Sequence, residues 1–175
     1  MNSKNKLSIY IVEDNEVFKL ALKADIEATF KDRCDLKIKS FSTGEACMEK
    51  FKLENPQVVI LDYHLDTKNP DAADGIKVLD WIKEVNPDTN VIMLTGDDNM
   101  DIALKSFHHH ASDYVVKTET KFQKINYSLL NLIKNIEAKA ETTIYKNMLV
   151  GVAVCAALLI GAGIAVLIIK PTLFL

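Results

Sequence analysis

Residues Val58–Asp62 read Val-Val-Ile-Leu-Asp, four large apolar side chains in succession ended by a carboxylate. The run is too short for a free helix and lacks polar alternation, so it predicts a strand buried on both faces with an acid at its C-terminal tip. Two more predicted strands end in polar groups: residues 9–14, Ile-Tyr-Ile-Val-Glu-Asp, and residues 91–95, Val-Ile-Met-Leu-Thr. Helical patterns separate them. In an open parallel sheet, ligands gather outside the carboxyl ends of the strands. Glu13, Asp14, Asp62 and Thr95 are therefore expected in one crevice.

Taken in order, residues 7–12 form the first strand. A helix over 15–30 is expected to pack through Val17, Leu20, Ala21, Ala24, Ala28 and Phe30. Residues 35–41 alternate weakly, as an edge strand does. Ser42 or Thr43 caps a helix to about residue 53, with Glu45 in its first turn, and Asn55-Pro56 closes it. A polar stretch at 66–74, containing Pro70, precedes Gly75 and a helix to residue 85. After strand 91–95 come a helix over 99–108, with Ile102, Ala103, Leu104 and Phe107 as packing residues, and a short strand at 113–116. A last helix over 121–136 carries Phe122, Ile125, Leu129, Leu132, Ile133 and Ile136. Five successive strand-helix units argue for an α/β fold, a parallel sheet covered on both faces.

This domain occupies residues 7–136, after a polar lead at 1–6. Residues 148–169 contain no charged side chain. As a helix they reach roughly 33 Å, enough for a hydrocarbon core of roughly 30 Å. One transmembrane helix is expected there, joined to the domain by a linker at 137–147 and followed by a tail at 170–175. Lys134, Lys139 and Lys146 precede it and only Lys170 follows, which predicts a single-pass membrane protein with the domain on the cytoplasmic side. Ala153, Ala157, Gly161 and Ala165 recur every four residues, a face that permits close helix packing and hence a homodimer. A formal net charge of −3 argues against non-specific nucleic-acid binding. Cys34 and Cys47 read as reduced thiols and Cys155 as a small apolar residue, and no cysteine pair has metal-ligand spacing.

The expected crevice has a charge problem. Carboxylates crowded together repel, which raises their proton affinity unless a cation intervenes. A hard divalent ion bound through oxygen, magnesium above all, resolves the conflict and also neutralises an incoming phosphoryl group. Asp62 is then a candidate nucleophile that becomes an aspartyl phosphate. Thr95 offers a hydrogen bond to a phosphoryl oxygen, Lys117 a compact positive charge, and Gly96 room for a donor. Taken singly, each acid also reads as a helix cap, Thr95 as a solvated strand end, Lys117 as a surface charge and Tyr114 as a core aromatic. Three consecutive histidines, His108 to His110, point in different directions on a helix and read as a solvated C-terminus rather than a metal site.

Several ordered elements together resemble the receiver domain of two-component response regulators: Glu13-Asp14 after the first strand, Asp62 after the third, Thr95-Gly96 after the fourth, and Asp113-Tyr114-Val115-Val116-Lys117 around the fifth. The resemblance covers about residues 7–136 and implies a flavodoxin-like (βα)5 fold with strand order 2-1-3-4-5. It implies Asp62 as phosphoacceptor and a magnesium site made by Glu13, Asp14, Asp62 and the backbone carbonyl of His64. Thr95 and Lys117 would contact the phosphate, and Tyr114 would be the aromatic switch that follows Thr95. The implied donor is a histidine kinase or phosphotransfer protein, and the implied signalling surface lies at about residues 99–136.

Three departures from that pattern stand out. Lys117-Thr118 replaces the usual Lys-Pro, whose peptide is commonly cis, so the loop or its strain is expected to differ. The loop at 66–74 is about five residues longer than usual, and His110 stands where a glycine often ends the fourth helix. The resulting expectation is a membrane-anchored receiver, not an enzyme beyond its own phosphorylation and dephosphorylation, that acts on an unknown protein partner without a separate output domain. The alternative is a phosphorylation-independent scaffold that recruits a partner to the membrane. A hydrolase using Asp62 lacks a general acid two residues on, where His64 stands.

Overall fold

The computed structural model describes residues 5–65, 73–96 and 99–169, with side chains for all of these except 5, 140, 141, 143, 144, 162, 163 and 166–169. The lead at 1–4, most of the long loop at 66–74 and the tail at 170–175 lie outside the described residues. The chain runs β1 (Asn5–Val12), α1 (Glu16–Phe30), β2 (Cys34–Phe41), α2 (Gly44–Glu54), β3 (Val58–Asp62), α3 (Gly75–Val85), β4 (Asn90–Thr95), α4 (Met100–His108), β5 (Asp113–Val116) and α5 (Lys121–Ile169). It divides into two units, Met1–Leu130 and Asn131–Leu175.

Every strand pairing is parallel, in the order β2-β1-β3-β4-β5. This is the flavodoxin-like arrangement expected. All five residues of β3 are buried, as are the last five of β4, so the central strands are apolar on both faces. Tyr10, Val12, Phe51, Val59, Leu61, Leu79, Ile82 and Met93 form part of one core, and each such aliphatic side chain contributes about 1.5–3 kcal/mol by leaving water. In register, Val12 pairs with Leu61, Asp62 with Leu94, and Thr95 with Val116. The polar tips therefore end together.

Side-chain caps start the first four helices: Asn15, Thr43, Asp74 and Asn99 accept from the backbone N–H of Phe18, Ala46, Lys77 and Asp101. Which face each helix buries differs from expectation in two cases. In α1 the buried residues are Lys19, Leu22, Ile26 and Phe30, while Val17 and Leu20 are exposed. Lys19 is sealed under its own partners, with its ammonium on Glu16 and Ser42. In α4, Leu104 and Phe107 are exposed and Ser106 is the buried residue, its hydroxyl donating to the Ile102 carbonyl.

The end of α4 is made by His110 in the left-handed region, φ 66°, with its N–H on Phe107 and that of Ala111 on Ser106. His109 is not merely solvated, because its Nδ1 lies 2.6 Å from Asp80 Oδ1 on α3. Cys34 and Cys47 are buried free thiols. Among the described residues no peptide bond is cis, so Lys117–Thr118 is trans.

The expected linker at 137–147 is helical, part of the continuous α5. The expected transmembrane helix at 148–169 is not supported: among the described residues no helix is long and apolar enough to cross a membrane. Ala153, Ala157, Gly161 and Ala165 are exposed on α5.

Candidate functional site

Four strand ends build the site. The tip of β1 delivers Glu13 and Asp14, that of β3 delivers Asp62, β4 ends on Thr95, and the chain leaving β5 carries Lys117. Thr95 and Lys117 are joined through the backbone, Lys117 N–H donating to the Thr95 carbonyl at 2.7 Å. Glu13, Asp62 and Thr95 are buried, whereas Asp14 is exposed. One carboxylate oxygen from each of Glu13, Asp14 and Asp62 lies within 4.8 Å of the others, the group of acids among the described residues able to hold a cation.

Lys117 is placed between two of these acids. Its Nζ lies 2.7 Å from Asp62 Oδ2 and 2.7 Å from Glu13 Oε2. The contact to Asp62 is a hydrogen bond. That to Glu13 meets the distance of an ion pair but leaves Glu13 Oε2 without an aligned donor, a buried anionic oxygen with charge nearby and no hydrogen bond. Glu13 Oε1 accepts from the Asn15 N–H, and Asp62 Oδ1 from the His64 N–H at 3.4 Å. Burial pushes the Glu13 carboxyl up to about 7, with Lys117 opposing and the Asp62 charge reinforcing the rise. A lone lysine does not satisfy two buried acids. Three carboxylates that converge within 4.8 Å and share one lysine fit a hard divalent cation such as magnesium.

Two further details shape the crevice. A Cβ on Gly75 would sit 2.4 Å from the Asp62 carbonyl oxygen and 2.7 Å from Tyr63 Cα, so only glycine lets α3 start directly behind the acid. Gly75 N–H also donates to the Tyr63 carbonyl. Gly96, by contrast, has open space around its Cα, the room expected for a donor. Tyr114 is half-buried against the core, and its hydroxyl reaches the Asn99 carbonyl at the start of α4 at 3.5 Å.

The structure thus brings together Glu13, Asp14, Asp62, Thr95 and Lys117, with His64 alongside, and places Tyr114 on the neighbouring α4 face. A model of the response regulator receiver domain matches residues 9–127. The chain belongs to the response regulator receiver family. The regulatory protein LuxO of Vibrio cholerae is 30% identical over 83 residues, 47% of this chain but 17% of its own length. The luminescence regulatory protein LuxO of Vibrio campbellii is 29% identical over 75 residues, 43% of this chain and 16% of that protein. The chain thus spans about a sixth of these relatives. Among solved structures, the signal receiver domain of a LuxO repressor protein from Vibrio parahaemolyticus superposes with a TM-score of 0.65 at 25% identity, covering 77% of this chain and 95% of that one. A BeF3-activated DrrB receiver domain gives 0.60 at 26% identity, covering 74% and 98%.

Sequence reasoning missed one part of this receiver's site. Phe18 of α1 stacks on Phe122 of α5, ring centroids 5.6 Å apart, and lies 4.9 Å from the Lys117 ammonium. The Asn15 cap marks where Phe18 falls in the first turn, but nothing in the one-dimensional pattern pairs it with Phe122.

Proposed function

We propose that this receiver is a phosphoacceptor, taking a phosphoryl group onto Asp62 from a histidine kinase or phosphotransfer protein. The observation that carries the reading is the Lys117 ammonium 2.7 Å from the Asp62 carboxylate at a tip shared with two other acids. Asp62 Oδ2 attacks phosphorus, the bond from phosphorus to the donor breaks, and the donor leaves with the electron pair. Lys117, freed from the carboxylate charge it now balances, pairs with a phosphoryl oxygen, and Thr95 donates its hydroxyl to another. Glu13, Asp14, Asp62 and the His64 carbonyl are the groups that would hold magnesium, which when bound offsets the charge of the acids and of the phosphoryl group.

The signal leaves by contact with another protein. Tyr114, half-buried and tied to the start of α4, is the element Thr95 would bias, and Met100, Leu104 and Phe107 supply an exposed apolar surface on that helix. Attachment to a membrane through residues 148–169 is part of the proposal. It is supported by the absence of charge across that run and by the exposure of Leu149, Val150, Leu158, Leu159 and Ile160. The receiver would then lie on the cytoplasmic side.

The test is the intact mass of the full chain after incubation with acetyl phosphate, with and without magnesium. The expected result is a magnesium-dependent gain of one phosphoryl group that Asp62→Asn abolishes. No gain from acetyl phosphate or from a phosphorylated histidine phosphotransfer domain, with partner binding indifferent to Asp62→Asn, would replace the proposal by a phosphorylation-independent scaffold.

A further inference from the structure

Lys117 has four rotatable side-chain bonds and must keep its ammonium at Asp62 through a reaction that changes both of its ion-pair partners. Asp62 loses its free carboxylate on phosphorylation, and Glu13 is a ligand a cation would take. The backbone fixes only the base of the side chain, through Lys117 N–H on Thr95 and Thr118 N–H on Val116. The residues that follow, Thr118, Glu119 and Thr120, are exposed, and the Thr118 hydroxyl meets the Thr120 hydroxyl at 3.4 Å. The loop itself offers the ammonium no wall.

The wall comes from two helices. The Phe18 ring lies 4.9 Å from Lys117 Nζ, within the range at which an aromatic face attracts a cation. Phe18 is held from both ends, its N–H on the Asn15 side chain at 3.0 Å and its ring stacked on Phe122 in the first turn of α5. Asn15 in turn donates its N–H to Glu13 Oε1. Lys121 Nζ lies 5.7 Å from the centroid of each ring, so the pair carries two ammonium groups. Among the described residues, the Lys117 ammonium meets Asp62, Glu13 and the Phe18 ring, and of these the ring neither reacts nor would serve as a metal ligand.

We propose that Phe18, braced by Phe122, is a positioning residue that holds the Lys117 ammonium over Asp62 while its carboxylate partners change. The catalytic consequence rests on the phosphoacceptor reading, but the positioning does not, and the experiment separates the two. In the full chain, limited acetylation by acetic anhydride followed by peptide mass spectrometry reads the reactivity of each lysine whether or not the protein is phosphorylated. Phe18→Leu, which keeps an apolar side chain and removes the ring, is expected to raise labelling of Lys117 about three- to tenfold, with Lys134 unchanged, and Phe18→Trp to restore it.

The same variants assayed with acetyl phosphate separate donor capture from turnover. Phe18→Leu is expected to raise the half-saturating donor concentration by a similar factor, to change the maximal rate less than about twofold, and to be rescued by Phe18→Trp. Unchanged Lys117 labelling in Phe18→Leu overturns the proposal. If every lysine becomes more reactive the variant has unfolded, and Phe122→Leu decides: a rise confined to Lys117 and Lys121 supports the brace, and no rise overturns it. A wild-type chain that takes no phosphoryl group removes the phosphoacceptor reading, and the labelling result alone then decides the positioning.

Discussion

Two glutamates in this receiver face lysines and fare in opposite ways. Glu54, at the end of α2, sits over the edge strand with Lys37 at 3.1 Å, with Lys39, and with the hydroxyl of the buried Tyr10 at 2.9 Å. Hydrogen bonds from Lys39, Lys37 and Tyr10 hold its carboxyl at about 2. Glu13, at the crevice, is buried and shares one ammonium with Asp62, and its carboxyl rises to about 7. Burial against solvation, and three donors against a share of one ammonium, set the sign. The edge cluster is satisfied and holds β2 to α2. The crevice is left short of positive charge, the condition a divalent cation can exploit.

The largest effect is expected from breaking the crevice side. Lys117→Ala leaves two buried acids with no cation and should lower stability by about 2–4 kcal/mol at pH 8 without metal, read from denaturant unfolding by the fluorescence of Trp81, the one tryptophan. Magnesium should return part of that loss.

The pH profile sharpens the contrast. Because the folded-state Glu13 carboxyl lies above its usual value, its contribution to stability is fully present below about pH 4.5 and is lost as pH rises to about 7. Without metal the protein should therefore lose on the order of 1–2 kcal/mol between pH 5 and pH 8. Magnesium affinity should rise over the same interval as the ion displaces the Glu13 proton. Glu13→Gln should flatten both curves, and a metal affinity indifferent to pH in the wild type would refute the charge-deficit argument.

The smallest effect belongs to the edge. Glu54 has its carboxyl below the usual value, so its contribution is present above about pH 4.5 and fades as pH falls toward about 2. Glu54→Gln should cost less than Lys117→Ala at neutral pH, with the gap from wild type closing under acid. It should leave magnesium binding untouched.

The crevice was legible in the sequence because each of its residues follows a strand whose apolar run stops abruptly, as Leu61 gives way to Asp62 and Leu94 to Thr95. Strands buried on both faces leave no register choice that periodicity must resolve. Helix faces were harder. In α1 alanines at 21, 24 and 28 spread weak apolar character around the cylinder, and the stripe of Leu22, Ile26 and Phe30 lost to a reading centred on Val17 and Leu20. In the short α4, apolar side chains occupy two faces, and the polar Ser106 is buried because its hydroxyl bonds back to its own helix. The Phe18–Phe122 stack joins residues 104 positions apart, a distance pattern reasoning does not cross. At the far end, the charge-free run at 148–169 was plain in composition, yet among the described residues no helix is long and apolar enough to cross a membrane.

The proposed chemistry turns on one bond, from Asp62 to phosphorus. An aspartyl phosphate is an acyl phosphate, and borohydride reduces it to homoserine. The full chain, incubated with acetyl phosphate and magnesium, reduced, digested and mapped by mass spectrometry, should carry homoserine at position 62 and nowhere else, and none when magnesium is chelated. Homoserine at Asp14 or another aspartate, or phosphate retained on a peptide lacking Asp62, would contradict it.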